Sequence, residues 1–188
     1  KKSAQRFGSI VCLGLDPVVE SIPIENQTAG EKIFIFYKRI LEEIQRKKVY
    51  CSAVKPNYAF YAQYGIEGIQ ALVRVISLFK EQGFPVILDV KRGDIGTTAE
   101  AYAREAFSFF NADAVTLSPY LGYDSIAPFV KAYPDKGIYV LNKTSNKSSS
   151  EIQDVMIGNT RMFLHVSRKI VEWHSEGMGA VPLHNFPG

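Results

Sequence analysis

Short apolar segments alternate with longer segments of helical periodicity along most of this chain, and this alternation restricts the possible folds more than any other feature. The predicted strands are residues 9–16, 51–55, 85–91, 114–118 and 137–141. The predicted helices are residues 31–48, 66–82, 98–110 and 162–173, with a short helix near 125–133. Because a helical crossover returns the chain to the same end of a sheet, this order predicts an α/β fold with a parallel sheet.

Three local features refine these boundaries. Gly83 follows the second long helix and is predicted to end it. Thr97 or Thr98 is predicted to cap the third helix at its N-terminus. Residues 142–150 are polar and rich in serine, which predicts a mobile loop.

The length of the chain limits how much of such a fold it holds. A closed (β/α)8 barrel usually takes about 250 residues, whereas this sequence has 188. Five βα units fit, and the last segment, GMGAVPLHNFPG at 177–188, is too short for three more. We therefore expect one domain, residues 1–188, that is either an open sheet or a (β/α)8 barrel whose C-terminal units are incomplete.

Charge and composition exclude several classes of protein. The net charge is +3 and acidic residues are interleaved with basic ones, so no nucleic-acid surface is predicted. No apolar run approaches the roughly 18 residues of a membrane-spanning helix, and no leader sequence is expected. Cys12 and Cys51 lie in apolar segments, where we expect buried, reduced thiols. Together these features predict a soluble protein of the cytoplasm.

Charged residues stand where the first three predicted strands end. The first strand ends in Asp16, the second in Lys55, and the third in Asp89 and Lys91, with Asp94 in the loop that follows. Ligands of parallel α/β sheets and barrels bind at this carboxyl edge. Asp89 and Lys91 are two residues apart on a strand, so we expect their side chains to share one face. The pattern predicts an alternating array of lysines and aspartates.

An ion-pair network that only stabilises the sheet edge is the structural alternative to a functional site. Three charged strand ends followed by the segment GDIGTT favour the site. Gly96 permits close approach of the backbone, and the threonines offer hydroxyls next to a helix N-terminus, where polar ligands bind. By contrast His165, His174 and His184 lack the spacing of metal ligands, so no metal site is predicted.

Five short motifs extend this pattern: GLDP at 14–17, KPN at 55–57, LDVKRGDIGTT at 88–98, SPYLG at 118–122 and KTSN at 143–146. Together, from about residue 10 to residue 173, they resemble the orotidine 5'-phosphate decarboxylase family, and most closely its bacterial-type branch. The resemblance implies a TIM (β/α)8 barrel and a homodimer. It also implies decarboxylation of orotidine 5'-phosphate to UMP in de novo pyrimidine biosynthesis, without a metal or an organic cofactor.

The resemblance assigns catalytic roles to four residues. Lys91 corresponds to the lysine that protonates C6 of the pyrimidine, and Asp89 to the aspartate beside the departing carboxylate. Asp94 corresponds to an aspartate that enters the active site of the partner subunit. Lys55 corresponds to a lysine that orients this array and contacts the ribose hydroxyls.

The resemblance also implies substrate-binding residues. Asp16 corresponds to a ribose-binding residue, Ile95 and Thr98 accompany the aspartate that crosses to the partner, and Ser145 reads the pyrimidine edge. Pro187 lies in FPG at 186–188, which resembles the start of the family's phosphate-binding loop P-G-V-G-A-Q-G-G. The glutamine of that loop and the arginine of the last strand have no counterpart here. We therefore expect that the sequence joins segments across missing ones.

Two other functions remain open from the sequence. A magnesium-dependent sugar-phosphate lyase or decarboxylase of the same superfamily, such as hexulose-phosphate synthase, also carries Asp-x-Lys-x-x-Asp on its third strand. The K-R-G-D-I-x-T-T and KTSN segments argue against that assignment. A non-catalytic nucleotide-binding remnant is the other alternative, because the C-terminal third is short.

Overall fold

The computed structural model describes residues 2–177, which fall into two compact units. The first unit comprises Lys1–Val90 and Arg104–Thr116, and the second comprises Lys91–Ala103 and Leu117–Gly188. The third and fourth strands of the chain each begin in the first unit and end in the second. The prediction of a single domain across residues 1–188 stays a prediction.

Strands alternate with helices as the sequence predicts. The strands are β1 (Cys12–Leu15), β2 (Ala53–Pro56), β3 (Ile87–Arg92), β4 (Ala114–Leu117) and β5 (Gly137–Val140), followed by the hairpin β6 (Met156–Ile157) and β7 (Thr160–Arg161). The helices are α1 (Lys2–Phe7), α2 (Ala29–Lys47), α3 (Ala59–Ala62), α4 (Gly65–Glu81), α5 (Gly96–Arg104), α6 (Ala127–Ala132), α7 (Ser150–Gln153) and α8 (Met162–Gly177). A π-helical turn, Glu105–Phe109, continues α5. Each of β1 to β5 is followed by a helix, which gives five consecutive βα units of an incomplete (β/α)8 barrel.

Local sequence explains the two long helices of the first unit. Thr28 caps α2, because its hydroxyl accepts a hydrogen bond from the backbone N–H of Glu31. The buried side chains of α2 recur at four-residue intervals: Ile33, Tyr37 and Leu41. Gly83 follows α4 with φ of 79°, a left-handed conformation that favours glycine, so the predicted helix end is confirmed.

The strands of the first unit pair in parallel, and their carboxyl ends therefore lie side by side. The register of β1 and β2 sets Cys12 opposite Ala53 and continues to the ends of both strands. A parallel bridge between Asn57 and Asp89 joins the end of β2 to β3. The side chains that fill the core of this unit include Leu15, Ile33, Val54, Tyr61, Leu72, Val75, Ile76, Phe79, Val86 and Leu88.

The remaining strands follow in the order β3–β4–β5. Within the first unit, the N–H of Ala114 donates to the carbonyl of Val86 (3.1 Å). Within the second unit, the N–H of Ser118 donates to the carbonyl of Arg92 (2.7 Å). Because the residue numbers of both partners rise together along the strands, β3 and β4 run parallel.

The short elements were not predicted from the sequence, and the start of α5 was predicted too late. Helices α1, α3 and α7 and the hairpin β6–β7 have two to six residues each, too few to display periodicity. Helix α5 begins at Gly96, so Thr97 and Thr98 lie in its first turn, and the prediction that either one caps it is wrong. The segment predicted as a loop at 142–150 contains a 3-10 turn, Lys147–Ser149.

The two cysteines differ in exposure. Cys51 is buried as predicted, whereas Cys12 is exposed, and both are free thiols. The prediction was wrong for Cys12 because β1 belongs to a two-stranded sheet with β2, which leaves its other edge open among the described residues. Within residues 2–177, every helix is too short or too polar to cross a lipid bilayer.

Candidate active site

The strand ends of the first unit bring three predicted site residues together. Asp16 follows β1, Lys55 lies near the end of β2, and Asp89 lies in β3. The register of β1 and β2 pairs Gly14 with Lys55, and the bridge from Asn57 brings Asp89 to the same level. The predicted clustering of charges at the carboxyl edge is therefore present for these three residues.

Asp89 is held by both of its carboxylate oxygens. The Lys55 ammonium donates to Oδ2 (2.9 Å), and the Thr116 hydroxyl donates to Oδ1 (3.0 Å). Thr116 in turn accepts a hydrogen bond from the backbone N–H of Val90 (3.0 Å), which fixes its hydroxyl as the donor to Asp89. Asp89 is only 7% exposed. A buried carboxylate needs such partners, because its desolvation is costly without them.

Thr116 is a site residue that the sequence analysis missed. It lies in β4, whose four residues are all buried, and its polar side chain interrupts the apolar run AVTL. A polar residue in the middle of a fully buried strand requires a hydrogen-bond partner inside the protein. The polar threonine within this apolar run was the signal that could have identified Thr116 as a site residue.

Lys55 carries a positive charge at neutral pH. Burial lowers the pKa of Lys55, but the hydrogen bond and negative charge of Asp89 raise it, with a further contribution from the charge of Asp16. The net result is a pKa above the ordinary value for lysine. Lys55 therefore lies in the field of two carboxylates, those of Asp89 and Asp16.

Two buried tyrosines, Tyr37 and Tyr61, lie close to Asp16. The Tyr61 hydroxyl donates to the carbonyl of Leu15 at the end of β1 (3.0 Å). Burial is the largest cause that raises the pKa of both Tyr37 and Tyr61, and the negative charge of Asp16 adds to it. Both phenols are therefore neutral, and they form a rigid, hydrogen-bonded support for the strand that carries Asp16.

Close packing of α3 on α4 fixes Tyr61. A Cβ added at Gly68 would lie within van der Waals overlap of the Tyr61 carbonyl oxygen, so only glycine permits this approach. The side chain of Tyr61 is completely buried. Gly68 thus determines the position of Tyr61 next to the site, although the periodicity of α4 gives no sign of this contact.

In the second unit, Lys91 has an unusual backbone conformation. Its φ is 51°, in the left-handed region, and its side chain is exposed. The prediction that Asp89 and Lys91 share one face assumed an extended backbone at both positions, and this assumption is wrong at Lys91. A left-handed non-glycine residue costs roughly 1–2 kcal/mol, and such strain clusters at functional sites.

The segment after Lys91 is anchored within the second unit. The Arg92 guanidinium lies 4.3 Å from the ring centroid of Tyr102 on α5. The Asp94 carboxylate accepts a hydrogen bond from the backbone N–H of Ile95 (2.8 Å). Asp94 is half-buried, whereas Ile95 is 52% exposed and Thr98 is also exposed.

Ser145 lies in the loop after β5, also in the second unit, and its side chain is exposed. At the start of this loop, Asn142 has a buried side-chain oxygen for which no hydrogen-bond partner is found among the described residues. Pro187, which was predicted from the family's phosphate-binding loop, lies outside the described residues, as does His184. Across residues 2–177, His, Cys, Asp and Glu side chains form no group of three that is arranged to hold a metal ion.

Comparison with known proteins gives a consistent result. The model of the orotidine 5'-phosphate decarboxylase / HUMPS family matches residues 9–187. The orotidine 5'-phosphate decarboxylase of Cupriavidus necator is 41% identical over 186 residues, which cover 97% of this chain and 66% of that protein. The enzyme of the same name from Dechloromonas aromatica is 43% identical over 175 residues, covering 92% of this chain and 63% of that protein.

Solved structures agree with these sequence comparisons. The structure of Leishmania donovani OMP decarboxylase superposes with a TM-score of 0.79 and 41% sequence identity, and covers 94% of this chain and 65% of that one. The chain thus spans slightly less than two thirds of the length of the curated relatives named above.

Proposed function

Because this chain belongs to the orotidine 5'-phosphate decarboxylase / HUMPS family, we propose that the protein converts orotidine 5'-phosphate to UMP and CO2 in pyrimidine biosynthesis. The observation that carries this proposal is the buried carboxylate of Asp89, held by Lys55 and Thr116 at the strand ends. The K-R-G-D-I and KTSN motifs favour the decarboxylase over the sugar-phosphate lyases of the same family.

Lys91 is proposed as the general acid. When CO2 leaves, the bond between C6 and the carboxyl carbon breaks and its electron pair stays on C6. A lysine ammonium near C6 stabilises this developing charge and then transfers a proton to C6, and the neutral amine regains a proton from water. The strained backbone of Lys91 supports a functional role, because strain persists where the surrounding structure enforces a particular geometry.

Asp89 is proposed to lie beside the carboxylate of the substrate. Its own position is fixed by two hydrogen bonds, so it cannot move away when a second negative charge binds. Repulsion between the two carboxylates falls as CO2 forms, and only such differences between ground state and transition state accelerate a reaction. Lys55 remains charged and, with Asp16, is proposed to bind the ribose hydroxyls.

The substrate contacts of the second unit are part of the same proposal. Ser145 would read the pyrimidine edge, and Pro187 would belong to the phosphate-binding loop. The reaction is proposed to need neither a metal nor an organic cofactor, since the lysines supply the positive charge. We also propose a cytoplasmic location, which the free, buried thiol of Cys51 supports.

Asp94, with Ile95 and Thr98, is proposed to act in the partner subunit of a homodimer. The support is the K-R-G-D-I motif, whose last residue, Ile95, lies just before α5 with its side chain 52% exposed. In a two-fold dimer each active site would contain residues of both chains. Mixing Asp94→Ala and Lys91→Ala proteins, each inactive alone, would then restore activity. An inactive mixture in which heterodimers are detected would contradict this arrangement.

The direct test is turnover of orotidine 5'-phosphate by the purified protein and by Lys91→Ala. Removal of the general acid is expected to lower kcat/KM by at least about 100-fold. Lys131→Ala is the matched control, because Lys131 is an exposed lysine on α6 in the same unit. Lys91→Ala turnover within about tenfold of the parent would overturn the assignment, and UMP binding without turnover by the parent would favour a non-catalytic remnant.

A further inference from the structure

The loop that carries Ser145 is closed at its neck by two neighbouring pairs of residues. The Lys143 ammonium donates to the Asp154 carboxylate (2.8 Å), and the backbone N–H of Thr144 donates to the Gln153 side-chain oxygen (2.9 Å). Two consecutive residues at the start of the loop thus contact two consecutive residues at its end. These pairs, 143 with 154 and 144 with 153, are called the loop neck here.

Gln153 makes a second hydrogen bond to the same residue. Its side-chain NH2 donates to the Thr144 hydroxyl (2.8 Å), and that hydroxyl donates onward to the Asn146 side-chain oxygen (2.6 Å). In this series of hydrogen bonds, from Gln153 to Thr144 to Asn146, the donor and the acceptor of each bond are therefore defined. These hydrogen bonds hold Thr144 and Asn146, the residues on both sides of Ser145, while the Ser145 side chain stays exposed.

Asp154 gives the neck a second anchor. It accepts hydrogen bonds from Lys143 and, at 3.5 Å, from Arg161 on β7. The hydrogen bond from Lys143 is the main cause that holds the pKa of Asp154 below its ordinary value, so the carboxylate is charged at neutral pH. Lys143 also reaches the hydroxyl of Ser149, which is buried inside the loop (3.3 Å).

We propose that Gln153 is a positioning residue that orients Ser145 for recognition of the pyrimidine base. This inference rests on the proposed function, since it takes orotidine 5'-phosphate and UMP as the ligands. Gln153 itself does not touch the substrate in this scheme. It acts through Thr144, whose backbone N–H and hydroxyl it engages together, and so fixes the turn that presents the serine.

The test compares a ligand that carries the base with one that lacks it. Binding of UMP and of ribose 5-phosphate is measured by calorimetry for the parent, Gln153→Ala and Thr144→Val. Gln153→Ala removes both hydrogen bonds between Gln153 and Thr144 and is expected to weaken UMP binding about tenfold, whereas Thr144→Val removes one of them and has a smaller effect. Ribose 5-phosphate binding is expected to change less than about twofold in each variant. The double variant is expected to weaken UMP binding by less than the product of the two single effects, because both substitutions remove the hydrogen bond from the Gln153 NH2 to the Thr144 hydroxyl.

Two control variants separate positioning from general damage to the loop. Glu151→Ala changes an exposed residue on the same short helix, α7, and is expected to bind both ligands like the parent. Thr144→Ser keeps the hydroxyl and the backbone N–H and is expected to restore most of the UMP affinity that Thr144→Val loses. Equal loss of affinity for both ligands, or unchanged UMP binding in Gln153→Ala, would overturn the positioning role.

Hydrogen exchange gives a readout that does not depend on any ligand. The amide of Thr144 is expected to exchange faster in Gln153→Ala than in the parent, since its acceptor is removed. Unchanged exchange would contradict the neck contact itself. A parent protein that does not bind UMP would overturn the proposed function together with this inference, whereas a parent that binds and a Gln153→Ala protein that binds equally well would overturn only the inference.

Discussion

Replacing Lys55 by methionine removes the ammonium beside Asp89 and keeps a side chain of similar length. Asp89 then retains its hydrogen bond from Thr116 but loses the cation 2.9 Å from its other oxygen. Because this carboxylate is buried, it cannot replace the lost partner with bulk water. We therefore expect Lys55→Met to destabilise the folded protein at neutral pH.

The burial of the pair sets the size of the effect. Breaking a fully buried ion pair costs about 3–5 kcal/mol, whereas exposed pairs contribute about 0.2–1 kcal/mol. The side chain of Asp89 is 10% exposed and that of Lys55 is 34% exposed, so the fully buried value must be reduced for solvent screening. An intermediate loss of about 1.5–3 kcal/mol follows, the larger part of it from the carboxylate.

Urea unfolding at pH 7 measures this loss, with Lys169→Met as a control in an exposed pair with Glu172. The control is expected to lose less than about 0.5 kcal/mol. The double variant Lys55→Met/Asp89→Asn is expected to lose at least about 1 kcal/mol less than the sum of the single variants, because it removes both the Lys55 ammonium and the buried charge that this ammonium stabilises. A Lys55→Met loss below about 0.5 kcal/mol, or strict additivity, would refute the reasoning.

Three further outcomes follow from the same structure. Since the pKa of Lys55 is raised in the folded protein, the stabilising effect of its charge is complete below the ordinary lysine pKa of about 10.5 and is lost as pH rises through the pKa of the folded state. The difference in unfolding free energy between the parent and Lys55→Met should therefore shrink above about pH 10.5, and a constant difference up to pH 12 would contradict a stabilising ion pair between Lys55 and Asp89. Asn142→Leu removes a buried amide oxygen that has no hydrogen-bond partner among the described residues, and it should raise the free energy of unfolding by about 1 kcal/mol. A free energy of unfolding lowered by that amount would contradict this and show that the Asn142 side chain makes a stabilising hydrogen bond. Chelation with EDTA should leave decarboxylation unchanged, and activity that returns only with magnesium would identify the lyase reaction instead.

Periodicity and strand-end charges predicted much of this structure. The five βα units follow from apolar segments of four to eight residues separated by helical patterns, and a sheet edge collects whatever polar residues end its strands. For this reason Asp16, Lys55 and Asp89 were predicted correctly as neighbours. The roles proposed for them in substrate binding and catalysis rest on the family motifs and not on the pattern itself.

The features that the sequence did not reveal depend on tertiary packing or on a single backbone angle. The hydrogen bond from Tyr61 to the end of β1 has no signal in the sequence, because only the fold brings α3 to β1 and only Gly68 permits the close packing of α3 on α4. Thr116 looked like one residue of an apolar strand. The left-handed φ of Lys91 has no signature in composition, since lysine has no preference for that region.

Lys91 is proposed to transfer a proton to C6 after CO2 has left. The most direct measurement is to run the reaction in D2O with the purified protein and to analyse the product by NMR. We predict that the parent forms UMP with one deuterium at C6, equal in amount to the CO2 released, and that Lys91→Ala forms no detectable UMP. Deuterated UMP produced by Lys91→Ala at the rate of the parent would contradict the claim.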